Sequence, residues 1–168
     1  MLRVVIADDH PVVLKGLKEI LSEGFDDAII DGTTTGYGLI NDVQKNQYDL
    51  VLLDISLPDI NGLEVLKEIR KKKPKLPILI ISMYPEEQYA HRAMKAGAQG
   101  YVTKRSASDE LVLAVRKILS GKRYISPAFA EKMLFDFESS AETPRVRVPS
   151  AAPEPSKFFP ALEPFNRS

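Results

Sequence analysis

The sequence contains no cysteine, which excludes disulfide bonds, thiolate metal sites and cysteine nucleophiles. It also has no excess of charge, because 23 basic side chains (Lys and Arg) balance 23 acidic ones (Asp and Glu). A net charge of zero gives no indication of a bulk attraction to nucleic acid or membranes. No apolar run approaches the roughly 20 residues of a membrane span, and the N-terminus does not have the shape of a signal peptide. We therefore expect a cytoplasmic protein that has no membrane partner.

The first 120 residues alternate short apolar runs with amphipathic stretches of helical spacing. The predicted strands are residues 2–7, 28–31, 49–53, 77–82 and 100–103. Strands that are apolar nearly throughout are typical of a sheet covered by helices on both faces. Five repeats of strand then helix predict an α/β fold with a doubly wound, five-stranded parallel sheet.

The predicted helix at about 86–96 differs from the others because it contains no Leu, Ile or Val. Such a helix buries little apolar area, so we expect it to be the most loosely held helix of the domain. A loosely held helix is suited to move when the protein changes conformation.

The composition predicts three segments: a main domain over residues 1–122, a linker helix within 123–140 and a tail over 141–168. The tail holds six of the twelve prolines and no glycine. A segment of this composition does not form a packed domain and is typical of a linker or an extended chain.

Acidic residues follow two of the predicted strands. Asp8 and Asp9 come directly after the first strand, and Asp54 ends the apolar run that begins at Leu50. The carboxyl ends of parallel strands meet at one edge of the sheet, where open α/β sheets bind ligands. One acid would suffice to cap a helix, so three gathered carboxylates favour a divalent cation. Mg²⁺ fits best, because it prefers oxygen ligands, here carboxylates and a backbone carbonyl.

Two further side chains at strand ends predict that an anion binds beside the metal. Lys104 ends the fifth strand, and the hydroxyl of Ser82, at the end of the fourth, can hydrogen-bond a phosphoryl oxygen. An aspartate can attack phosphorus and form an acyl phosphate. Taken singly, Asp54 could be a turn residue, Ser82 a loop serine and Lys104 a surface lysine. Taken together, they predict a metal and phosphate site with Asp54 as the acceptor.

Other motifs carry less weight. His10 follows the acid pair and could be a metal ligand or a base, but a role at the start of a helix suits it better. His91 is expected to face solvent. The basic run at 70–75 ends a predicted helix, where cations favour the helix dipole, so we expect a solvated helix end rather than a nucleic-acid site. The stretch Gly32–Gly38 is similar to a flavodoxin phosphate loop, but it follows the second strand instead of the first.

Several motifs together resemble the receiver domain of bacterial two-component response regulators over about residues 1–125. They are Asp-Asp-His at 8–10, Leu-Leu-Asp at 52–54 followed by Leu-Pro-Asp-Ile-Asn-Gly, Ser82, and Gly97-Ala-Gln-Gly-Tyr-Val-Thr-Lys104. The runs Ser82-Met-Tyr-Pro-Glu-Glu-Gln-Tyr-Ala and Arg123-Tyr-Ile-Ser-Pro are similar to the NarL/FixJ (LuxR-type) subfamily of transcription regulators. The resemblance implies a flavodoxin-like receiver fold with strand order 2-1-3-4-5.

The resemblance also implies a role for each site residue. These roles are the phosphoacceptor Asp54; the Mg²⁺ ligands Asp8, Asp9, Asp54 and the backbone carbonyl of Ser56; the phosphoryl-binding residues Lys104 and Ser82; and the switch pair Ser82 and Tyr101. On phosphorylation the fourth helix and fifth strand would shift. Arg105 departs from the pattern, because many receivers have a proline at that position.

The resemblance implies a sensor histidine kinase as phosphoryl donor, a homodimer on phosphorylation, and control of transcription by the full-length protein. The chain would catalyse only its own phosphoryl transfer and dephosphorylation. DNA would be bound only through a domain missing from this chain, because a helix-turn-helix module should follow near residue 145. We therefore expect a truncated regulator whose residues from about 144 onward are non-native or frameshifted.

Two alternatives belong to other classes of protein. A stand-alone receiver would act as an adaptor through protein contacts and would need no DNA-binding output. A phosphohydrolase would use Asp54 as its nucleophile, but such enzymes usually need a second acid two residues later, where this chain has Ser56.

Overall fold

A computed structural model of the chain describes residues 1–136, in which strands and helices alternate up to Leu119. The strands are β1 (Leu2–Ala7), β2 (Ala28–Thr33), β3 (Leu50–Leu53), β4 (Ile78–Ser82) and β5 (Gly100–Thr103). The helices are α1 (Pro11–Gly24), α2 (Gly36–Lys45), α3 (Gly62–Lys72), α4 (Glu86–Lys95) and α5 (Ala107–Leu119), with a 3₁₀ turn at Lys104–Ser106.

The five strands form one parallel sheet in the order β2-β1-β3-β4-β5, so the predicted fold class and strand order are confirmed. This order places β1 and β3 side by side at the centre. The last residues of these two strands, Ala7 and Leu53, are paired. Each is followed by an aspartate, so the strand order brings Asp8 and Asp54 together at the carboxyl edge of the sheet.

Helices cover both faces of the sheet. Right-handed connections place α1 on one face and α2 to α4 on the other, and the contact between α2 and α3 agrees with this arrangement. In the part of the chain that the structure describes, no strand of the sheet follows α5, which contacts α1 and so lies on the α1 face. On the α1 and α5 face, Leu17, Leu21, Leu111 and Val115 pack with alternate residues of the central strands. Each such side chain contributes about 1.5–3 kcal/mol to folding when fully buried. The apolar strand runs therefore become the core.

Strand β2 is longer than the predicted 28–31, because it continues through Gly32 and Thr33. The apolar run ends at Ile30, but the backbone of the next three residues still pairs with β1 as far as Ala7. An edge strand can continue through polar residues, since one side of its backbone remains free of neighbours. The hydrophobic pattern of the sequence therefore does not predict this part of the pairing.

Helix α4 buries few side chains, as its composition predicts. Only Ala90 and Ala93 are buried in it, while Tyr89 and Met94 are partly exposed. Its greater mobility stays a prediction.

The expectation that the basic run at 70–75 is a solvated helix end holds only in part. The lysines at the end of α3 reach solvent as predicted, but Arg70 does not behave as part of a solvated helix end. Its guanidinium donates hydrogen bonds to the carbonyls of Lys73, Pro74 and Gly97 and to Oε1 of Gln99. Arg70 thus joins the end of α3 to the start of β5, because five donors in a rigid fork can serve several loops at once.

The chain after α5 returns to the sheet. Gly121 has a φ of 93°, the left-handed conformation in which glycine commonly ends a helix. Tyr124 then forms a bridge with Gly100 beside β5, and its hydroxyl donates to Glu110 at 2.8 Å. The first compact unit runs to Ser126, and residues 127–136 form a further helix.

The remaining predictions about the C-terminus concern residues 137–168, which lie outside the described residues. They include the end of the predicted linker helix and the whole proline-rich tail. Within residues 1–136, no helix combines the length and apolar character needed to cross a membrane.

Candidate functional site

Three aspartates and one histidine meet at the carboxyl edge of the sheet. Asp8, Asp9, His10 and Asp54 each offer a ligand atom, and these atoms all lie within 4.8 Å of one another. Asp8 is 0% and Asp54 1% exposed, while Asp9 is partly exposed. The convergence follows from the pairing of β1 with β3, as expected for strand ends in a parallel sheet.

Lys104 lies between the two buried carboxylates. Its Nζ is 2.8 Å from Oδ2 of Asp8 and 2.9 Å from Oδ2 of Asp54. Burial alone would lower the pKa of Lys104, but its hydrogen bonds to Asp8 and Asp54 outweigh this effect and raise the pKa. The side chain is 7% exposed, so Lys104 is not a surface lysine. Its ammonium is the main counter-charge that the folded chain provides for the two acids.

The Asp54 carboxyl remains costly to ionise despite this lysine. Burial raises the pKa of Asp54, the nearby charge of Asp8 raises it further, and Lys104 acts in the opposite direction. Oδ1 of Asp54 also accepts a hydrogen bond from the Ser56 N–H at 3.2 Å. A turn does not need a buried carboxylate, which is costly to remove from water. The helix that follows this turn is already capped, because Asn61 accepts from the Leu63 N–H.

Helix capping does not account for Asp8 and Asp9. The residue that precedes α1 is His10, which makes no side-chain cap, and the helix begins with Pro11, which has no N–H to satisfy. Both acids instead face the His10 ring, whose Nδ1 is 3.3 Å from Oδ1 of Asp8 and 3.1 Å from Oδ1 of Asp9. The predicted role of His10 at the helix start agrees with this position.

The donor set fits Mg²⁺. Asp8, Asp9 and Asp54 supply the hard oxygen ligands that this ion prefers, and the partly exposed Asp9 leaves an open side for the waters that Mg²⁺ retains. The backbone of Ser56 lies against Asp54 through the Ser56 N–H. Its carbonyl stays a predicted ligand.

Ser82 and Tyr101, the predicted switch pair, both contact the backbone of one residue. Oγ of Ser82 accepts from the Tyr84 N–H at 3.0 Å, and the Tyr101 hydroxyl donates to the Tyr84 carbonyl at 2.8 Å. Both side chains are fully buried, and burial raises the pKa of Tyr101 to about 12. Tyr84 lies two residues before α4. A displacement of either side chain would therefore act directly on the start of that helix.

The stretch Gly32–Gly38 does not form a free phosphate loop. It ends β2 and begins α2, and its N–H groups at the helix start already have acceptors. Gly36 and Tyr37 donate to the Asp59 carboxylate, and Gly38 donates to the Thr35 hydroxyl. These bonds agree with the position of the stretch after the second strand, which already argued against a flavin site.

The sequence matches the response regulator receiver domain over residues 4–116. The chain belongs to this family. It is 30% identical over 133 residues to the response regulator GacA of Pseudomonas aeruginosa, in an alignment that covers 79% of this chain and 62% of GacA. The predicted family is confirmed, and the chain spans less than two thirds of the length of this relative.

Solved structures give the same result. A two-component response regulator of the LuxR family from Aurantimonas sp. superposes with a TM-score of 0.74 at 32% identity, covering 80% of this chain and 96% of that one. The isolated receiver domain of RcsB from Salmonella enterica, in the presence of the phosphomimetic BeF₃⁻, gives 0.70 at 25% identity, covering 77% and 96%.

In this receiver domain, the start of α4 is tied to the chain that follows α5. The Ser126 N–H donates to Oε2 of Glu86 at 2.9 Å, and the Ser126 hydroxyl donates to Oε1. Hydrogen bonds to a charged acceptor contribute about 1.5–3 kcal/mol each. We expect Glu86→Ala to accelerate amide exchange at Tyr124 and Ser126 by at least about tenfold, since 1.4 kcal/mol corresponds to that factor.

Hydrogen–deuterium exchange followed by mass spectrometry checks this expectation. Gln88→Ala, an exposed change in the same helix, is the control and should leave the exchange unchanged. Equal protection of residues 122–126 in both variants would contradict the role of Glu86.

Proposed function

We propose that this receiver domain is phosphorylated at Asp54 by a sensor histidine kinase, in a reaction that requires Mg²⁺. The observation that carries the proposal is the contact of one buried lysine with two buried carboxylates, 2.8 Å from Asp8 and 2.9 Å from Asp54. Two acids that share one cation hold an excess of negative charge, and this excess favours binding of a divalent ion. The lysine then becomes available to an incoming anion.

The Asp54 carboxylate would act as nucleophile. One of its oxygens forms a bond to phosphorus, the bond from phosphorus to the donor nitrogen of the kinase histidine breaks, and an acyl phosphate results. Lys104 and the Ser82 hydroxyl would bind the phosphoryl oxygens. Mg²⁺, held by Asp8, Asp9, Asp54 and the Ser56 carbonyl, would supply charge neutralisation. Positioning and charge neutralisation are the main sources of catalysis in phosphoryl transfer.

The same contacts suggest how phosphorylation is transmitted. A phosphoryl group on Asp54 would attract the Ser82 hydroxyl, which now accepts from the Tyr84 N–H. Loss of that bond would release the Tyr84 N–H. The Tyr101 hydroxyl, which donates to the carbonyl of the same residue, could then move together with the Tyr84 backbone. Helix α4 and strand β5 would then rearrange, since a new local charge biases an element that has two arrangements. The small buried side chains of α4, Ala90 and Ala93, support this assignment.

We further propose that the full-length protein regulates transcription in the cytoplasm as a homodimer formed on phosphorylation. The response regulator RcsB, which is 26% identical to this chain, has been solved in complex with DNA, and this supports DNA binding as the output of the full-length protein. In this proposal, residues 1–122 form the receiver, 123–140 a linker helix and 141–168 a tail. The chain carries out its own phosphoryl transfer and dephosphorylation and is not an enzyme with a separate substrate.

Intact mass after incubation with acetyl phosphate tests the phosphoacceptor. We expect one phosphoryl group on the native chain in the presence of Mg²⁺ and none in its absence. Asp54→Asn should abolish the adduct, because an amide cannot form the acyl phosphate. An adduct that persists in the folded Asp54→Asn variant, or no adduct on a folded native chain, would contradict the proposal. A kinase assay would then test the donor.

A further inference from the structure

We propose that Asp59 is a positioning residue for phosphoryl transfer, which fastens the loop carrying the Ser56 carbonyl to the N-terminus of α2. We call this loop, residues 55–61 between β3 and α3, the acceptor loop. The proposal rests on the phosphorylation of Asp54 proposed above. Asp59 does not act on the phosphoryl group itself; it acts through the backbone of the acceptor loop.

The acceptor loop is held at both of its ends. At the start, the Ser56 N–H donates to Oδ1 of Asp54 at 3.2 Å. At the end, the Gly62 N–H donates to the Ile55 carbonyl at 2.8 Å, and Asn61 caps α3 by accepting from Leu63. These bonds fix where the loop leaves β3 and where it enters α3, but they leave its middle unattached.

Asp59 supplies the attachment in the middle. Its Oδ1 accepts from the Gly36 N–H at 2.8 Å and its Oδ2 accepts from the Tyr37 N–H at 2.9 Å. These are the first two N–H groups of α2, which have no acceptor within the helix. The positive end of the helix dipole favours a carboxylate at this place. Both oxygens of Asp59 therefore bind another segment of the chain, although the residue is exposed.

The packing around Gly36 shows that the loop and the helix approach closely. A Cβ at this position would clash with Cγ2 of Ile60 and would lie 2.8 Å from Cγ2 of Val65. Glycine thus allows the acceptor loop to lie directly on the first turn of α2. The two hydrogen bonds of Asp59 and this contact hold residues 59 and 60 against the helix.

The position of Ser56 depends on these anchors. Ser56 lies between the bond to Asp54 and the bonds of Asp59, so its carbonyl direction is set from both sides. Groups that orient metal ligands without touching the metal commonly change metal affinity by about 10–100-fold when they are removed. We therefore expect Asp59→Ala to raise the Mg²⁺ concentration for half-maximal phosphorylation by about tenfold or more, and to lower the rate at saturating Mg²⁺ as well.

Thr35 provides a matched control. Its hydroxyl accepts from the Gly38 N–H at 3.0 Å, so it caps the same helix end through a hydrogen bond that does not involve the acceptor loop. Thr35→Ala should lower the melting temperature to a similar degree as Asp59→Ala. It should not change the Mg²⁺ dependence, because the bonds between Asp59 and the helix remain.

The experiment measures the initial rate of phosphorylation by acetyl phosphate against Mg²⁺ concentration for the native chain, Asp59→Ala, Asp59→Asn and Thr35→Ala. Asp59→Asn keeps one acceptor oxygen, so we expect its Mg²⁺ dependence to lie between those of the native chain and Asp59→Ala. It also provides a second measurement if Asp59→Ala does not fold. The proposal would be overturned if the Asp59 variants had the same Mg²⁺ dependence as the native chain. It would also be overturned if Thr35→Ala changed the Mg²⁺ dependence as much as Asp59→Ala does. In both of these outcomes the native chain is still phosphorylated, whereas a native chain without an adduct would overturn the phosphoacceptor function.

Discussion

Replacing Lys104 by methionine is expected to lower the free energy of unfolding by about 3–5 kcal/mol in the absence of Mg²⁺, the usual effect of removing one partner of a buried ion pair. Methionine keeps most of the apolar stem and removes only the ammonium. The carboxylates of Asp8 and Asp54, which are 0% and 1% exposed, then share the carboxyl edge of the sheet without their counter-charge. Urea denaturation in EDTA measures the loss.

Mg²⁺ and acid should both reduce this loss. The ion would replace the missing positive charge, so we expect Lys104→Met to gain more stability from Mg²⁺ than the native chain does. Burial already raises the pKa of Asp54, and removal of the lysine raises it further. The penalty of a carboxyl with a raised pKa exists while it is ionised and disappears as the pH falls through that pKa. The difference between the variant and the native chain should therefore be smaller at pH 5 than at pH 8.

Lys122→Met is the control for the loss of one positive charge, because Lys122 is exposed. It should leave both the stability and its Mg²⁺ dependence close to the native values. A Lys104→Met variant that is as stable as Lys122→Met in EDTA would show that the folded chain does not need this cation.

Gly62→Ala is expected to have the second large effect, and it combines lost stability with lost phosphorylation. A Cβ at Gly62 would clash with the carbonyl oxygen of Asp54 and would lie 2.6 Å from Cα of Ile55. Both neighbours are backbone, so relief requires the start of α3 to move away from the end of β3. Overpacking a core usually costs about 1–3 kcal/mol, and we expect the upper end of this range or more. The phosphoryl adduct should decrease strongly at the same time.

Gly16→Ala tests the same chemical change where space is available. Nothing lies within 4 Å of a Cβ built at Gly16, which is inside α1. Because alanine is favoured over glycine in a helix by about 0.5–1 kcal/mol, this variant should equal or exceed the native stability and keep the adduct. Thermal melts and intact mass measure both variants. A Gly62→Ala protein with native stability and phosphorylation would contradict the close approach of the start of α3 to the Asp54 backbone.

The sequence alone was sufficient for the fold class, because the signals that define it are local. Apolar runs such as Leu50–Leu53, bounded by polar turns, predict buried strands, and the residues between them follow helical spacing. The position of Asp8 and Asp54 directly after two such runs predicts their meeting for any parallel sheet in which those strands are neighbours. The strand order itself came from the resemblance to receivers, and the structure agrees with it.

Local patterns failed where a contact joins distant parts of the chain. Nothing near Asp59 in the sequence indicates that its carboxylate binds the start of α2, 23 residues earlier. The same holds for Arg70, whose basic neighbours suggested a solvated helix end although its guanidinium reaches Gly97. Such hydrogen bonds depend on which loops the strand order brings together, and periodicity does not encode this.

The sequence by itself therefore determined the alternation of strands and helices, the edge at which the acids gather and the residue types that suit a metal and a phosphoryl group. Only the tertiary structure decided that Lys104 bridges Asp8 and Asp54, the latter 50 residues away along the chain. Only the structure decided that Ser82 and Tyr101 meet at the Tyr84 backbone. The physical reason is that burial patterns are local properties of the chain, whereas the partner of a buried charge or hydroxyl is set by the packing of separate segments.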